Sequence, residues 1–425
     1  MKRITLLTIL AFSVVGLHAQ TLEECRKLAR ENYPAIKQYE LISKTEQYNV
    51  SNAARAWIPQ IVLSGQATYQ SETVTYPEAM QTLLQNMGTE MTGIRKDQYK
   101  IALDINQTIW DGGTSKAQKE IAKANAKEAQ SQVDVTLYDL QQRVDNLYFG
   151  ILLLDERYAQ TKALISVLKS NLDRIKAYHK NGVAMQSDID AIEAELLSAE
   201  QTMGQVEASR NSYRSMLEAF IGKELTDDKL IRPESTEIIN KTSARPELTL
   251  FDAQIGKIEA QRKSIKSLGT PRFSAFAQGF YGYPGYDIFR NMTSADWSLN
   301  GIVGIRMQWN LTPFYTQKNN LDMLNVAQSQ IEVQRETFLF NTQMQITQDD
   351  GEIARLRKAI TNDSRIVELR SSVRKAAESK MENGVIDATE LLQKITEETN
   401  ASLTKSTHEI ELLQAIYRLK HTLNQ

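Results

Sequence analysis

Residues Leu137–Ile175, LYDLQQRVDNLYFGILLLDERYAQTKALISVLKSNLDRI, place an apolar residue at alternating steps of three and four. The stripe runs through Leu137, Leu140, Val144, Leu147, Ile151, Leu154, Tyr158, Ile165, Leu168, Leu172 and Ile175, interrupted at Thr161. This is a heptad pattern, so the segment predicts a helix packed along its length on a partner helix. The stretch around it from Gly112 to Asn181, about seventy residues, holds no proline. As one helix that run would measure roughly 105 Å at 1.5 Å per residue. Few globular domains need such a rod, and the flanking sequence has to explain what it crosses.

The chain repeats itself. Pro34 and Pro59 recur as Pro246 and Pro271, an offset of 212, and Gln66 and Tyr69 recur at the same offset as Gln278 and Tyr281. Ala129–Val135 (AQSQVDV) returns as Ala327–Val333 (AQSQIEV), and Asn181-Gly182-Val183 returns as Asn383-Gly384-Val385. Asp188 is matched by Glu390. Matches in one order imply two structural repeats, expected over 20–222 and 244–425, with 223–243 as the link. Each repeat opens with a helix, 32–57 or 244–268, that closes before a proline.

Beyond each proline the pattern changes to strict alternation. Ile61, Leu63, Gly65, Ala67 and Tyr69 alternate with Gln60, Ser64, Gln66, Thr68 and Gln70, Val62 being the exception. Tyr99, Ile101, Leu103, Ile105 and Ile109 alternate with Lys100, Asp104, Asn106 and Thr108. In the second repeat Phe273, Ala275, Ala277, Tyr281 and Tyr283 form one face. Trp297, Leu299, Val303, Ile305, Met307 and Trp309 form another, opposite Ser298, Asn300, Arg306, Gln308 and Asn310. Period two predicts four two-faced strands, about 59–76, 97–110, 271–284 and 296–311, paired as hairpins. A soluble sheet with one face on a core is one reading. A membrane β-barrel, apolar outward and polar towards a lumen, is favoured. The other segments offer no globular core, and Trp57, Trp110, Trp297 and Trp309 all fall at strand ends, where membrane barrels carry aromatic girdles. Four strands cannot close a barrel. An open edge would leave about five backbone donor–acceptor pairs facing lipid, at several kcal/mol per unsatisfied group. The edges must pair with other subunits, giving eight strands from two chains or twelve from three.

A long helix leaves each hairpin, 112–181 and 314–382, meets a Gly-containing turn and returns as a shorter helix, 186–222 and 386–422. The first return carries Ile189, Ile192, Leu196, Ala199, Met203, Val206, Tyr213, Leu217 and Phe220 at threes and fours, with Arg210 as the break. In the second, Ile395, Ile410, Leu413 and Tyr417 are the clearest members. A rod of roughly 100 Å is too long for a bilayer of about 30 Å but suits a periplasmic gap.

Composition narrows the class. Lys2 and Arg3, the apolar run Ile4–Val15 and Leu17-His18-Ala19 read as a signal peptide over 1–19. No later segment has eighteen consecutive apolar residues, so no transmembrane helix is expected. The formal charge of −2 and the scattered basic residues point away from nucleic acid. The single Cys25 cannot form an internal disulfide and reads as a buried, inert thiol. Past the signal peptide only His179, His408 and His421 remain, with no metal-ligand spacing, phosphate loop or nucleophile elbow. No catalytic residue, cofactor or metal is expected, and an enzyme is disfavoured.

These features together resemble the TolC family of outer-membrane efflux proteins, over nearly the whole mature chain. Trp110-Asp111-Gly112-Gly113 is similar to the family's strand-to-helix junction, where paired glycines let the backbone turn sharply. The second copy departs, reading Asn310-Leu311-Thr312-Pro313-Phe314. There Thr312 suits an N-cap and Pro313 the first helical position. The resemblance implies a mainly α chain whose four strands complete a twelve-stranded outer-membrane barrel in a homotrimer, continuous with a periplasmic α-barrel of antiparallel coiled coils. It implies a passive exit duct for efflux or type I secretion, opened by a periplasmic adaptor (membrane fusion protein) attached to an inner-membrane pump. The turns Asn181–Asp188 and Asn383–Glu390 resemble the family's adaptor-docking tips, with Gly182, Val183, Ser187, Asp188, Gly384, Val385 and Thr389 as candidates. Ser187 and Thr389 are expected to begin the return helices, with Asp188 and Glu390 at their positive ends. Glu390 is the candidate periplasmic gate. The family's second acidic position is Gln393 here, and its basic latch residue is replaced by Ile386. Lys100, Asp104 and Arg306 read as generic wet lining, and 77–96 and 284–296 as loops capping the outer mouth. The competing class is a coiled-coil tether that bridges envelope layers without conducting; ion conductance separates the two.

Overall fold

Proline sets the first element boundaries. The computed structural model describes residues 21–88, 93–182, 184–225, 230–235, 243–383 and 385–425. The expected signal peptide and parts of the expected link lie outside them. Thr21 caps the first helix, its hydroxyl oxygen accepting from the Glu24 N–H at 3.2 Å, and α1 spans Leu22–Asn32. The single helix expected over 32–57 is broken at Pro34, which forces Tyr33 into extended backbone, ψ 127°. A short 3₁₀ turn, Pro34–Lys37, leads to α2, Gln38–Ala54, and a second one, Arg55–Trp57, to Pro59 and β1, Gln60–Tyr69. Then come α3 (Glu78–Asn86), β2 (Asp97–Trp110), α4 (Thr114–Lys180), α5 (Gln186–Ile221) and α6 (Pro246–Ser267). The chain continues through β3 (Arg272–Tyr283), α7 (Ile288–Thr293), β4 (Ser298–Gln308), α8 (Pro313–Glu382) and α9 (Ala388–Leu423). The segments read as mouth loops thus each carry a short helix, α3 and α7, and β1 stops at Tyr69 rather than near residue 76.

These elements gather into two compact units, and each unit draws on both sequence repeats. One contains the chain to Gln38, Gln132–Leu248 and Arg335–Gln425; the other contains Tyr39–Ser131 and Thr249–Gln334.

In the first unit the heptad stripe of α4 is the spine. Leu137, Leu140, Val144, Ile151, Leu168, Leu172 and Ile175 are buried, and Leu147, Leu154, Tyr158 and Ile165 are half-buried. Each buried aliphatic side chain is worth about 1.5–3 kcal/mol. Tyr138, Asp145, Tyr148, Phe149 and Leu152 are buried as well, because α1 and α9 cover the flanks. Arg26 of α1 grips Asp145 with two bonds, Nε to Oδ1 at 2.7 Å and Nη2 to Oδ2 at 2.6 Å. Tyr417 of α9 packs on Phe149 with ring centroids 5.6 Å apart. The polar breaks in the stripes are satisfied. Thr161 Oγ1 donates to the Arg157 carbonyl at 2.8 Å, and Arg210 pairs with Asp155 across the α4–α5 contact. Near the turns one core joins all four long helices: Leu172 and Ile175 of α4, Ile189 and Ile192 of α5, Ala377 and Met381 of α8, Leu391 and Ile395 of α9. Cys25 is buried, and burial pushes its thiol up to about 12, which leaves it protonated and unreactive.

In the second unit the two expected hairpins merge into one antiparallel sheet, because β2 also pairs with β3; the order is β1-β2-β3-β4. The register aligns Leu63 with Leu103, Leu103 with Gly279 and Gly279 with Gly301. Odd-numbered residues of all four strands therefore share one face and even-numbered residues the other, until a bulge between Thr108 and Trp110 sets Trp110 opposite Phe273 and so onto the odd face. The odd face is apolar and uncovered: Leu63 is 73% exposed, Leu299 81%, Val303 79% and Ile305 75%. Aromatic residues end it on both sides, Trp57, Trp110 and Trp309 at the helical end, Tyr99, Tyr281 and Trp297 at the loop end. β1 and β4 are free edges among the described residues. No described helix is long and apolar enough to cross a membrane.

Candidate functional site

The first strand-to-helix junction is built around Asp111. Its Oδ1 accepts from the Gly113 N–H at 2.9 Å and its Oδ2 from the Ser115 N–H at 2.6 Å, which satisfies two of the orphan donors at the start of α4. Burial pushes the Asp111 carboxyl up, but the bonds from Ser115 and Gly113 outweigh it and hold its pKa below the usual range. The residue stays anionic at the positive end of the helix. Gly112 and Gly113 both take left-handed backbone, φ 69° and 86°. The Gly112 carbonyl also accepts from Thr270 Oγ1 at 2.9 Å, tying this junction to the one before β3. Thr270 is a participant the sequence did not point to.

The second junction works through different atoms. Pro313 begins α8, as its fixed φ and missing donor favour. Thr312 contributes backbone only: its N–H donates to Asn310 Oδ1 at 3.1 Å and its carbonyl accepts from the Tyr315 N–H at 3.1 Å. The side-chain bond expected of Thr312 is supplied by Asn310, which is a better acceptor for a turn of this kind. Trp309 Nε1 donates to the Gly269 carbonyl at 3.0 Å and fixes the ring beside the junction.

At the α4–α5 turn, Gly182 has φ 75° and its N–H donates to the His179 carbonyl at 2.9 Å, a left-handed helix end. His179 Nδ1 lies 2.9 Å from the Ala184 carbonyl. Met185, not Ser187, is the N-cap of α5, and Asp188 Oδ2 accepts from the Met185 N–H at 2.8 Å. Ser187 sits one residue inside the helix. At the α8–α9 turn Asp387, not Thr389, is the N-cap, its Oδ1 accepting from the Glu390 N–H at 2.8 Å. At the second turn the Asp387 carboxylate takes the role expected of the Thr389 hydroxyl, which it performs at least as well, while at the first Asp188 satisfies the N-cap donor from inside the helix. Val385 is 68% exposed, and its N–H donates to the Lys380 carbonyl at 2.9 Å. Val183 and Gly384 lie outside the described residues. Ile386, where the family has a basic residue, packs on the apolar core beneath the turns.

Glu390 is exposed and its carboxylate has no hydrogen-bond partner among the described residues. The next acids of α9 differ. Glu397 accepts from Arg370 Nη1 at 2.5 Å, Glu398 pairs with Arg374, and Gln393 donates to Glu397 at 3.1 Å. Among the described residues Glu390 thus carries a carboxylate without a cationic partner beside this turn, while Glu397 and Glu398 further along α9 are paired within the hairpin.

Residues 25–223 match the family described as outer membrane efflux protein. No curated protein matches the chain. Solved structures do resemble it in fold. The outer membrane protein VceC from Vibrio cholerae superposes with a TM-score of 0.70 at 14% identity, over 95% of both chains. The CmeC outer membrane channel of Campylobacter jejuni gives 0.66 at 12% identity, over 95% of this chain and 85% of that one. The open-state MtrE outer membrane channel of Neisseria gonorrhoeae gives 0.67 at 13%, over 95% and 88%. The first repeat therefore matches the outer membrane efflux protein family, and the chain as a whole, with its duplicated pattern of strand pair, long helix and return helix, has the fold of these outer-membrane channels.

Proposed function

We propose that the protein is the outer-membrane exit duct of a tripartite efflux or type I secretion system, a passive homotrimer opened when a periplasmic adaptor docks on its helical turns. The observation that carries this reading is the odd-numbered sheet face, apolar and uncovered on all four strands between two aromatic ends. From Tyr99 to Trp110 the strand β2 advances eleven residues, about 36 Å at ~3.3 Å each. Tilted by about 40°, as barrel strands are, it spans roughly 28 Å, close to the ~25 Å apolar band of membrane barrels.

The free edges of β1 and β4 support an oligomer. Leaving them open in lipid would cost more than the ~5–15 kcal/mol that stabilises a typical domain, so pairing with further copies is required. In the same unit α2 exposes Leu41 (60%) and Tyr48 (65%), and α8 exposes Tyr315 (82%), Met323 (63%) and Val326 (59%). Neighbouring copies would cover these stripes. Three chains give the twelve strands of the family's barrel. The exposed turn residues Gly182 and Val385 suit a docking surface, and the adaptor would link the duct to an inner-membrane pump. Cargo moves by diffusion, and the chain's part is to line, position and gate.

Conductance of purified protein in planar bilayers tests the reading. Discrete single-channel openings are expected. Membrane insertion without conductance would instead indicate the envelope tether.

A further inference from the structure

Even-numbered residues make the polar face of the sheet, and their charges are unbalanced. Three cations, Lys100, Arg272 and Arg306, stand against one carboxylate, Asp104, an excess of two positive charges per chain on this face. None of the three cations has a carboxylate partner among the described residues. Lys100 Nζ lies 4.4 Å from the centroid of Phe280 and donates to Gln278 Oε1 at 3.3 Å. Arg306 lies with its guanidinium carbon 4.6 Å from the centroid of Phe276. Arg272 Nη2 donates to Thr114 Oγ1 at 3.3 Å. Asp104 is turned to Gln278, whose Nε2 donates to it at 2.5 Å, so the carboxamide separates the one acid from Lys100.

Phenylalanines are unexpected on a wet face. Phe280 is 5% exposed, covered by Lys100 and by Tyr286, whose ring stands edge-on at 5.1 Å. Phe276 lies over Gly304 of the neighbouring strand, where an added Cβ would come within 2.9 Å of the ring. The rings are built into the sheet, and the cations rest on them. An aromatic face holds and orients a cation, worth about 0.5–2 kcal/mol, without cancelling its charge; a carboxylate would cancel it. Lys100 and Arg306 are thus fixed in place with their charge intact.

We propose that this face is an anion-selecting lining of the duct, in which Lys100 and Arg306, held over Phe280 and Phe276, raise the local concentration of anionic solutes and set the ion preference of the barrel. The inference rests on the duct reading above. With several copies around one lumen the positive charges would face each other across water, where fixed charges concentrate counter-ions and repel co-ions. The cargo this lining favours is a solute bearing a carboxylate, sulfonate or phosphate.

The test is the reversal potential of single channels in a KCl gradient, at about 0.1 M or below, where the screening length is ~10 Å or more. The double variant K100Q/R306Q is expected to lower the chloride-to-potassium permeability ratio at least about twofold relative to the unmodified protein. Asp104→Asn is expected to raise that ratio by a similar factor. It carries the test alone if the double variant does not assemble. Unchanged reversal potentials in conducting variants would overturn the inference and leave the duct standing. An unmodified protein that inserts but conducts nothing would defeat the duct reading, and this inference with it.

Discussion

Thr270 Oγ1 donates to the Gly112 carbonyl at 2.9 Å, and a Cβ built on Gly112 would fall 1.9 Å from that same oxygen. Gly112 needs its missing side chain twice over, for φ 69° and for the room Thr270 occupies. Gly112→Ala is therefore expected to cost about 1–3 kcal/mol, and to lower the thermal midpoint of the purified protein. Thr270→Val, which removes only the hydrogen bond, should cost about 1 kcal/mol. Equal, negligible effects of the two changes would contradict this account of the junction.

Tyr138 and His421 hold each other reciprocally in the helical unit. Their rings stack at 4.1 Å, the Tyr138 hydroxyl donates to the His421 carbonyl, and His421 Nε2 donates to the Tyr138 carbonyl at 3.1 Å. Burial lowers the His421 pKa, and this outweighs the opposing hydrogen bond to Tyr138. The unfolded chain then takes up a proton first as pH falls. Stability from this residue is complete above the ordinary histidine pKa of about 6.5 and declines as pH drops below it, by at most ~1.4 kcal/mol per pH unit. Thermal midpoints between about pH 8 and pH 5 should fall more steeply for the unmodified protein than for His421→Gln. Parallel curves would refute the assignment.

The odd sheet face offers a test of lipid exposure. Val303 lies in mid-strand on β4, opposite Ala277, and is 79% exposed. Val303→Arg should lose about 2–4 kcal/mol of insertion free energy, seen as reduced folded protein in an outer-membrane fraction. Arginine at Ile302, the neighbour on the even face, should be tolerated. The reverse ranking would mean that the faces have been assigned the wrong way round.

Glu390 is proposed to gate the periplasmic end. A ring of Glu390 carboxylates from several copies would attract cations and repel its own members. Glu390→Ala should raise single-channel conductance or abolish block by divalent cations. Recordings indistinguishable from the unmodified protein would remove Glu390 from the gate.

Val385 is proposed to belong to the docking surface. A charge at this exposed position leaves the underlying core untouched, so Val385→Asp should keep conductance while weakening cross-linking to the adaptor and cargo export. Normal export by this variant would place docking elsewhere.

Much of this fold was legible because its rules are periodic. Alternation in four segments announced two-faced strands, and steps of three and four from Leu137 to Ile175 announced the buried seam. Resemblance, rather than periodicity, pointed to the junctions and turns. Long-range chemistry was not legible. Nothing local in β2 says that it also pairs with β3, and Thr270 reaches Gly112 across 158 residues. Helix starts are ambiguous in sequence where two capping residues lie close together, as Asp387 and Thr389 do, because either can cap a helix from its own position. The cations on the even face were visible in the alternation. Their resting on Phe276 and Phe280 was not, since a phenylalanine in a polar register looks like noise until its partner strand is known.

The most direct test is the native mass of the protein extracted in mild detergent from an isolated outer-membrane fraction. A particle of three chains completes a twelve-stranded barrel and is the predicted result. A monomer recovered from the soluble fraction would mean that the apolar sheet face is covered by something other than lipid, and would contradict the duct.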